Sequence, residues 1–311
     1  MITPHPIAIV GPTGVGKSAT AEVVALRLGG EIVNADSMQV YRSMDIGTAK
    51  TAPGERRVPH HCLDLVDPGE SYSAALYQRD ARAAIAEILA RGAVPVIVGG
   101  TGLYVRAAMD EFEFPSGNLA SDTRHAIEER ARQLGAKALH AELARLDPPS
   151  AALIHPNNVR RTVRALEMLA EGRSYADQTA GFAARTGHYP QARFFGLTMD
   201  RPTLYERIDA RVDAMIAAGL QAEVDSLLAE GYRDALTAAQ AIGYKELVPV
   251  AEGQMPLAEA IAQIKRASRR YAKRQLTWFR ADSRIQWLDV TGLSPDDAGG
   301  VLLDLLESAK R

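Results

Sequence analysis

The chain has 311 residues, is 47% hydrophobic and 24% charged, and carries a net charge of -2. That is ordinary soluble globular composition, with length for one large elaborated domain or two domains. No apolar run approaches the roughly 20 residues of a membrane span, and Met1-Ile2-Thr3-Pro4-His5-Pro6 has neither the basic start nor the apolar core of a leader. A single cysteine, Cys62, excludes an internal disulfide framework and fits a reducing compartment. A cytoplasmic protein with no membrane partner is expected.

The first strong signal is a strand feeding a glycine-rich loop and then a helix. Residues 7–10 are apolar, Gly11-Pro12-Thr13-Gly14-Val15-Gly16-Lys17-Ser18 reads G-x-x-x-x-G-K-[ST], and residues 17–28 have helical character. Glycines let such a loop wrap an anion with its amides pointing inward, and the helix start adds partial positive charge. Residues Gly11 to Ser18 are therefore expected to bind a diphosphate or triphosphate. Lys17 would reach the terminal phosphates and the Ser18 hydroxyl would hold Mg²⁺.

Residues 31–35 read as a second short strand that ends at Asp36. The spacing of Ala74, Tyr77, Ala81, Ile85 and Ile88 predicts a helix over 72–91, and 94–98 is an apolar strand broken by Gly99-Gly100-Thr101-Gly102. Repeated βα units predict a parallel sheet covered by helices. The character changes near 114–119. Residues 122–146 then predict one charged amphipathic helix, and a second runs from Asn157-Asn158 to Ala170. Residues 173–192 show little periodicity. Residues 193–199 return as a strand and Asp200-Arg201-Pro202 opens a helix. Gly219 separates helices over 205–218 and 221–230, and 257–279 is a long basic helix in a helical last third. The expected fold class is α/β, a P-loop NTPase-like parallel sheet flanked by helices. Residues 1–115 and 193–311 form its core, 116–192 a helical insertion, and the C-terminal part is helical.

Ligands in open α/β sheets sit beyond the carboxyl ends of the strands. Asp36 and Ser37 project there, and Asp36 suits a Mg²⁺ partner, a general base or a helix N-cap. Gln39 and Tyr41 offer an amide and a ring to a flat substrate. An ordinary P-loop NTPase places an acid after a later strand, but here Gly99-Gly100-Thr101 follows. That segment suits a second phosphate contact better than water activation. His60-His61 lacks partners at zinc-ligand spacing and reads as a polar loop or helix start. Cys62 reads as a small semi-buried side chain. The long basic helix carries Lys265, Arg266, Arg269, Arg270, Lys273, Arg274 and Arg280, interleaved with Tyr271, Trp278 and Phe279. In a chain of near-neutral charge, such a stripe is the footprint of a phosphate backbone. Arg160, Arg161 and Arg164 form a second cluster. Arg207 and Arg211 share a helix face; phosphate binding competes there with salt bridges to Glu206, Asp209 or Asp213.

Together these segments resemble the bacterial tRNA dimethylallyltransferases, also called tRNA isopentenyltransferases. The similar stretches are Gly11 to Ser18, Asp36-Ser37-Met38-Gln39-Val40-Tyr41, Gly47-Thr48-Ala49-Lys50, Val58-Pro59-His60-His61, Val98 to Tyr104, His155-Pro156-Asn157-Asn158 with Arg164-Ala165-Leu166-Glu167, Ala241 to Glu246, and Tyr271 to Arg280. They keep the family's order across nearly the whole chain. The resemblance implies transfer of a dimethylallyl group from dimethylallyl diphosphate to the exocyclic amine of the adenine 3′ of the anticodon. The P-loop would then hold the donor's diphosphate.

The same resemblance implies site roles. Asp36 matches the general base, Lys17 and the loop amides the stabilisers of the departing diphosphate, and Ser18 the Mg²⁺ ligand. Thr101 matches a residue near the donor and reacting site; Arg211 or Arg207 matches an arginine near the diphosphate. Gln39 would read the target adenine. The implied tRNA contacts are Asp36, Ser37, Met38, Gln39, Thr101, Arg124, Arg160, Arg161, Arg164, Lys273, Arg274 and Arg280, on the anticodon stem-loop, with the enzyme acting as a monomer. The loop has Gly14-Val15 and Ser18 where the family often has Ala-Ser and Thr, which removes one potential phosphate contact and keeps the metal-binding hydroxyl. No Cys/His module is seen, so no zinc is expected. Three rivals fit less of the chain. A P-loop kinase or ATPase needs the missing acid. A prenyltransferase of free adenine nucleotides does not need the basic helix. A non-enzymatic RNA-binding switch leaves Asp36 without a task.

Overall fold

The computed structural model of the chain describes residues 4–112, 114, 121–235 and 237–308. They form two compact units, Met1–Met109 with Tyr189–Arg311, and Asp110–His188. The expected boundary at 115–116 falls outside the described residues.

The first unit opens with β1 (Ile7–Val10), α1 (Lys17–Leu28), β2 (Gly30–Asn34), β3 (His60–His61), α2 (Ala74–Ala90), β4 (Val94–Gly99) and α3 (Gly102–Met109). The second unit holds α4 (Asp122–Leu134), α5 (Ala136–Leu146), α6 (Pro148–Ala152), α7 (Val159–Ala170) and α8 (Tyr175–Ala183). The first unit resumes with β5 (Arg193–Thr198), α9 (Arg201–Ala217), α10 (Leu220–Ala229), α11 (Val248–Ala251), α12 (Leu257–Arg280), β6 (Ile285–Asp289) and α13 (Pro295–Ser308).

Six parallel strands pair in the order β3-β2-β4-β1-β5-β6. The central strands are apolar throughout because helices cover both faces. Ile7, Ile9, Ile32, Val96, Val98, Phe195 and Leu197 form the core with Val24 of α1 and Leu302 of α13. The chain leaves β1 toward β2 on one side and leaves β4 toward β5 on the other. The crevice of such a sheet lies where the connections diverge, here between the carboxyl ends of β1 and β4. The second unit has its own core, with Ile127, Leu139, Leu143, Ile154, Val163 and Leu166.

Four local expectations are corrected. The helix expected over 122–146 is two helices, broken at Gly135 with φ 82°. The aperiodic stretch 173–192 contains α8, started by the Ser174 side chain accepting from Ala176 N. His60-His61 is a short strand paired with β2, not a helix or loop start. The last third contains the strand β6, whose signal is weak because it pairs with β5 alone.

Candidate active site

The phosphate loop joins β1 to α1. Gly11, Gly14 and Gly16 all take positive φ, which turns the backbone tightly enough to point successive amides into one hollow. Val15 packs its side chain into the core, so only its backbone faces an anion. Lys17 Nζ donates to Pro12 O at 2.7 Å. Burial lowers the Lys17 ammonium to about 7; Asp36 opposes the shift and Arg211 adds to it. Ser18 is exposed at the helix start.

Asp36 follows β2. Asn34 fixes the bend there, its Nδ2 donating to Asp36 O and Cys62 O while its Oδ1 accepts from Asp36 N. Asp36 Oδ1 accepts from Met38 N at 2.9 Å. No helix follows, so the N-cap reading of Asp36 is replaced by an Asx-turn that holds the carboxylate at the sheet edge. Thr101, after β4, accepts from Ser37 N at 3.1 Å and donates to Ser37 Oγ at 3.2 Å. The loops after β2 and β4 are thereby stitched together beside Asp36.

Arg211 reaches in from α9. Its Nη1 donates to Thr13 Oγ1 and its Nη2 to Thr48 O, each at 3.4 Å. Burial lowers its pKa, with Asp36 opposing. Arg207 is exposed one turn earlier, reaches Gly16 with its guanidinium, and lines an open hollow with Lys17, Ser18 and Arg211. Asp209 and Asp213 pair with Arg269 and Lys265 of α12, not with Arg207 or Arg211.

Thr48 lies in a loop that the sequence pattern left unexplained. Glu223 accepts from the backbone N–H of Asp45, Ile46 and Gly47 and from the Tyr244 hydroxyl. Lys50 is nearly fully buried and donates to Tyr41 O, Asp45 Oδ1 and Asp64 Oδ1. The fixed carbonyls of Thr48 and Ala49 accept from Gln39 Nε2, which commits that nitrogen to the loop.

Two neighbouring hollows result. A narrow one is lined by Thr13, Lys17, Ser18, Asp36, Gln39 and Arg211. The other, about 590 Å³, shares Thr13, Asp36 and Arg211 and extends past Ser37 and Met38 to Ile208, Ile242, Arg270, Tyr271 and Arg274. Burial, followed by the charge of Asp36, pushes the Tyr271 hydroxyl up to about 12. Polar groups and phosphate-loop donors thus occupy one end, and apolar side chains with two arginines the other.

The remaining expected contacts divide. Lys273, Arg274 and Arg280 are exposed on α12. Arg124, Arg160, Arg161 and Arg164 belong to the second unit. There Arg124 and Arg164 both pair with the buried Glu167, while Arg160 and Arg161 are exposed. His60 and His61 bond to Glu22 and Glu31. Among the described residues no group of three or more His, Cys, Asp or Glu stands together as metal ligands. Burial pushes the Cys62 thiol up to about 12, which leaves it inert.

Residues 39–282 match the model of the IPP transferase family, and 5–58 match that of isopentenyl transferases. The chain belongs to the IPP transferase family. Among its relatives, the tRNA dimethylallyltransferase of Geobacillus kaustophilus is 49% identical over 285 residues, 91% of this chain and 90% of that protein. The crystal structure of a tRNA isopentenylpyrophosphate transferase from Bacillus halodurans matches with a TM-score of 0.72 and 44% identity, covering 98% of this chain and 96% of that one. A eukaryotic dimethylallyltransferase acting on tRNA matches with a TM-score of 0.78 and 30% identity, covering 93% and 74%. The expected family and parallel α/β fold are both borne out. What the pattern did not reveal in this IPP transferase are Glu223, Gln275 and the buried Lys50. The partners of Glu223 and Gln275 lie far along the chain, and only a polar residue on an inward-facing helical position could have signalled them. Those of Lys50 lie within 14 residues of it, in irregular loop that no periodicity reads. No described helix is long and apolar enough to cross a membrane.

Proposed function

We propose that this chain transfers a dimethylallyl group from dimethylallyl diphosphate to the exocyclic amine of the adenine 3′ of a tRNA anticodon, acting as a cytoplasmic monomer. The observation that carries the reading is the pocket in which Asp36 faces Lys17, Ser18, Thr13 and Arg211. A phosphate loop opposed by a carboxylate, with no acid after β4 to orient water, suits attack on a bound diphosphate ester by a substrate nucleophile. The name and likeness of the relatives support the same reaction.

The chemistry balances without an outside reagent. The adenine nitrogen attacks the donor's first carbon as that carbon's bond to the diphosphate oxygen breaks. Diphosphate leaves with the bonding pair, and the amine proton passes to Asp36. Lys17, Arg211 and the loop amides stabilise the charge that develops on the leaving oxygen. Thr101 holds Ser37, and through it the turn that carries Asp36. The target base must leave its stack to reach the cavity, where Met38 and Tyr271 line the walls. Arg274 offers a phosphate contact at its wall, and exposed Lys273 and Arg280 offer others outside it.

The donor set fits Mg²⁺. Ser18 presents a hard oxygen at the mouth of the anion hollow and Asp36 stands in the same pocket, so the ion would take few protein ligands and complete its shell with phosphate oxygens and water. Bound there, Mg²⁺ would neutralise part of the diphosphate charge.

The test uses purified protein, Mg²⁺, dimethylallyl diphosphate and unmodified tRNA, with the product digested for mass spectrometry. Adenosine heavier by one dimethylallyl unit at the single position 3′ of the anticodon is expected. No product, alongside nucleoside triphosphate turnover, would replace this reading with a kinase or ATPase.

A further inference from the structure

Gln275 lies on α12, four residues after Tyr271, and is 5% exposed. Its Oε1 accepts from Thr13 N at 2.8 Å, and its Nε2 donates to Gly100 O at 2.9 Å. The two bonds span the crevice between β1 and β4. Both end on backbone, so no rotamer change in a partner relieves them. A Cβ on residue 100 would stand 2.1 Å from Nε2, which explains glycine there. A buried carboxamide with both ends used is a stiff link, because breaking either bond strands a buried polar group.

What the link joins is the reacting machinery. Thr13 belongs to the phosphate loop and its hydroxyl faces Arg211. Gly100 precedes Thr101, which holds Ser37 beside Asp36. The same helix places Arg270, Tyr271 and Arg274 on the cavity wall. Thr13 N–H is also withdrawn from the anion hollow, and Pro12 has no N–H to offer. The loop's free donors therefore begin at Gly14, and their placement depends on how firmly Thr13 is held.

We propose that Gln275 is a positioning residue: it locks the phosphate loop to the Gly100–Thr101 turn, so that the donor's leaving group and Asp36 stand in register. The proposal rests on the prenyl-transfer reading of this site. Gln275 also lines the narrow hollow and meets the Tyr271 hydroxyl, but its two amide atoms are committed to the backbone of Thr13 and Gly100, so it acts by placing those partners.

Two variants of the full chain test it. Gln275→Leu keeps the volume and removes both bonds. Gln275→Glu keeps the acceptor and, when protonated, recovers the donor as well. Each is compared with wild type for melting temperature, binding of inorganic diphosphate by calorimetry, and kcat with KM for each substrate. Gln275→Leu strands Thr13 N and Gly100 O and should therefore melt below wild type. At a temperature where it is fully folded, it should keep its tRNA KM yet lose about tenfold or more in kcat and in diphosphate affinity, since both depend on preorganisation. A buried carboxyl protonates readily, so the rate of Gln275→Glu relative to wild type should rise as pH falls. A wild-type kcat in Gln275→Leu overturns the proposal. Should that variant fail to fold, a Gln275→Glu ratio that is flat across pH overturns it. If wild type itself transfers no prenyl group, the reaction reading fails while diphosphate affinity still decides the lock: weakened in Gln275→Leu it stands, unchanged it falls.

Discussion

Lys17 sits between a carboxylate and a guanidinium, and its charge is the site's adjustable quantity. Burial brings its ammonium down to about 7, with Asp36 pulling the other way and Arg211 adding to the fall. A diphosphate favours the charged form. Below pH 7 the lysine is already charged when the ligand arrives. Above it, binding must draw a proton from solvent, so affinity falls as pH rises, by up to about tenfold per unit. Calorimetry with inorganic diphosphate, from about pH 6 to about pH 9, should show this loss relative to Lys17→Arg, whose guanidinium stays charged throughout. Parallel curves for the two proteins would refute it. Asp36 makes a separate claim. Asp36→Asn preserves the turn, since its side-chain oxygen still accepts from Met38 N. It should retain donor and tRNA binding and lose roughly 10²–10⁴-fold in turnover, the usual worth of a positioned base. Normal turnover would remove Asp36 from proton transfer.

At the scale of elements, the site depends on how closely β4 approaches the end of β2. A Cβ on Gly99 would stand 2.2 Å from Ala35 O and 2.3 Å from its carbonyl carbon. Both are backbone atoms and cannot swing aside. Ala35 also accepts from Thr101 N and donates to Val98 O, so a displaced Ala35 carries Asp36 and Thr101 with it. Gly99→Ala should cost about 1–3 kcal/mol by overpacking and reduce turnover as well, read by thermal unfolding beside the transfer assay. A wild-type melting temperature would show that the strands have slack. The elements legible in the sequence were those whose signal is local: the apolar run and glycine loop around β1, and the periodic α2. The break at Gly135 was not legible, because an isolated glycine inside a helical pattern is often tolerated. Neither was β6, whose pairing with β5 joins distant segments. In the site, Asp36, Lys17 and Thr101 could be named from their places at strand ends. The bond from Gln275 to Thr13 spans 262 positions, and nothing local announces it. Glu223, which fixes Asp45, Ile46 and Gly47, is hidden in the same way.

At the scale of the whole molecule, the basic character of α12 resolves into two populations that sequence could not separate. Lys265 and Arg269 face α9 and are neutralised by Asp213 and Asp209. Lys273 and Arg274 are exposed farther along the same helix, and Arg274 stands 5.6 Å over the Tyr271 ring at the cavity wall. Of these two pairs, only the second has charge to offer a polyanion, beside the exposed Arg266, Arg270 and Arg280 of the same helix. Each cation that neutralises a phosphate releases counterions and adds to the salt dependence of binding. Lys273→Gln with Arg274→Gln should therefore weaken tRNA binding and reduce the slope of log affinity against log salt by about one for each phosphate no longer neutralised. Lys265→Gln with Arg269→Gln should leave that slope near wild type and act on stability instead, since it strands Asp213 and Asp209 opposite uncharged partners. These pairs are half-buried at the surface, where an ion pair is worth on the order of 1 kcal/mol, so the stability change should be modest. Titrating tRNA at several salt concentrations with wild type and both double variants separates the two populations. Equal slopes in all three proteins would show that this face of α12 is merely solvated and that tRNA is held elsewhere.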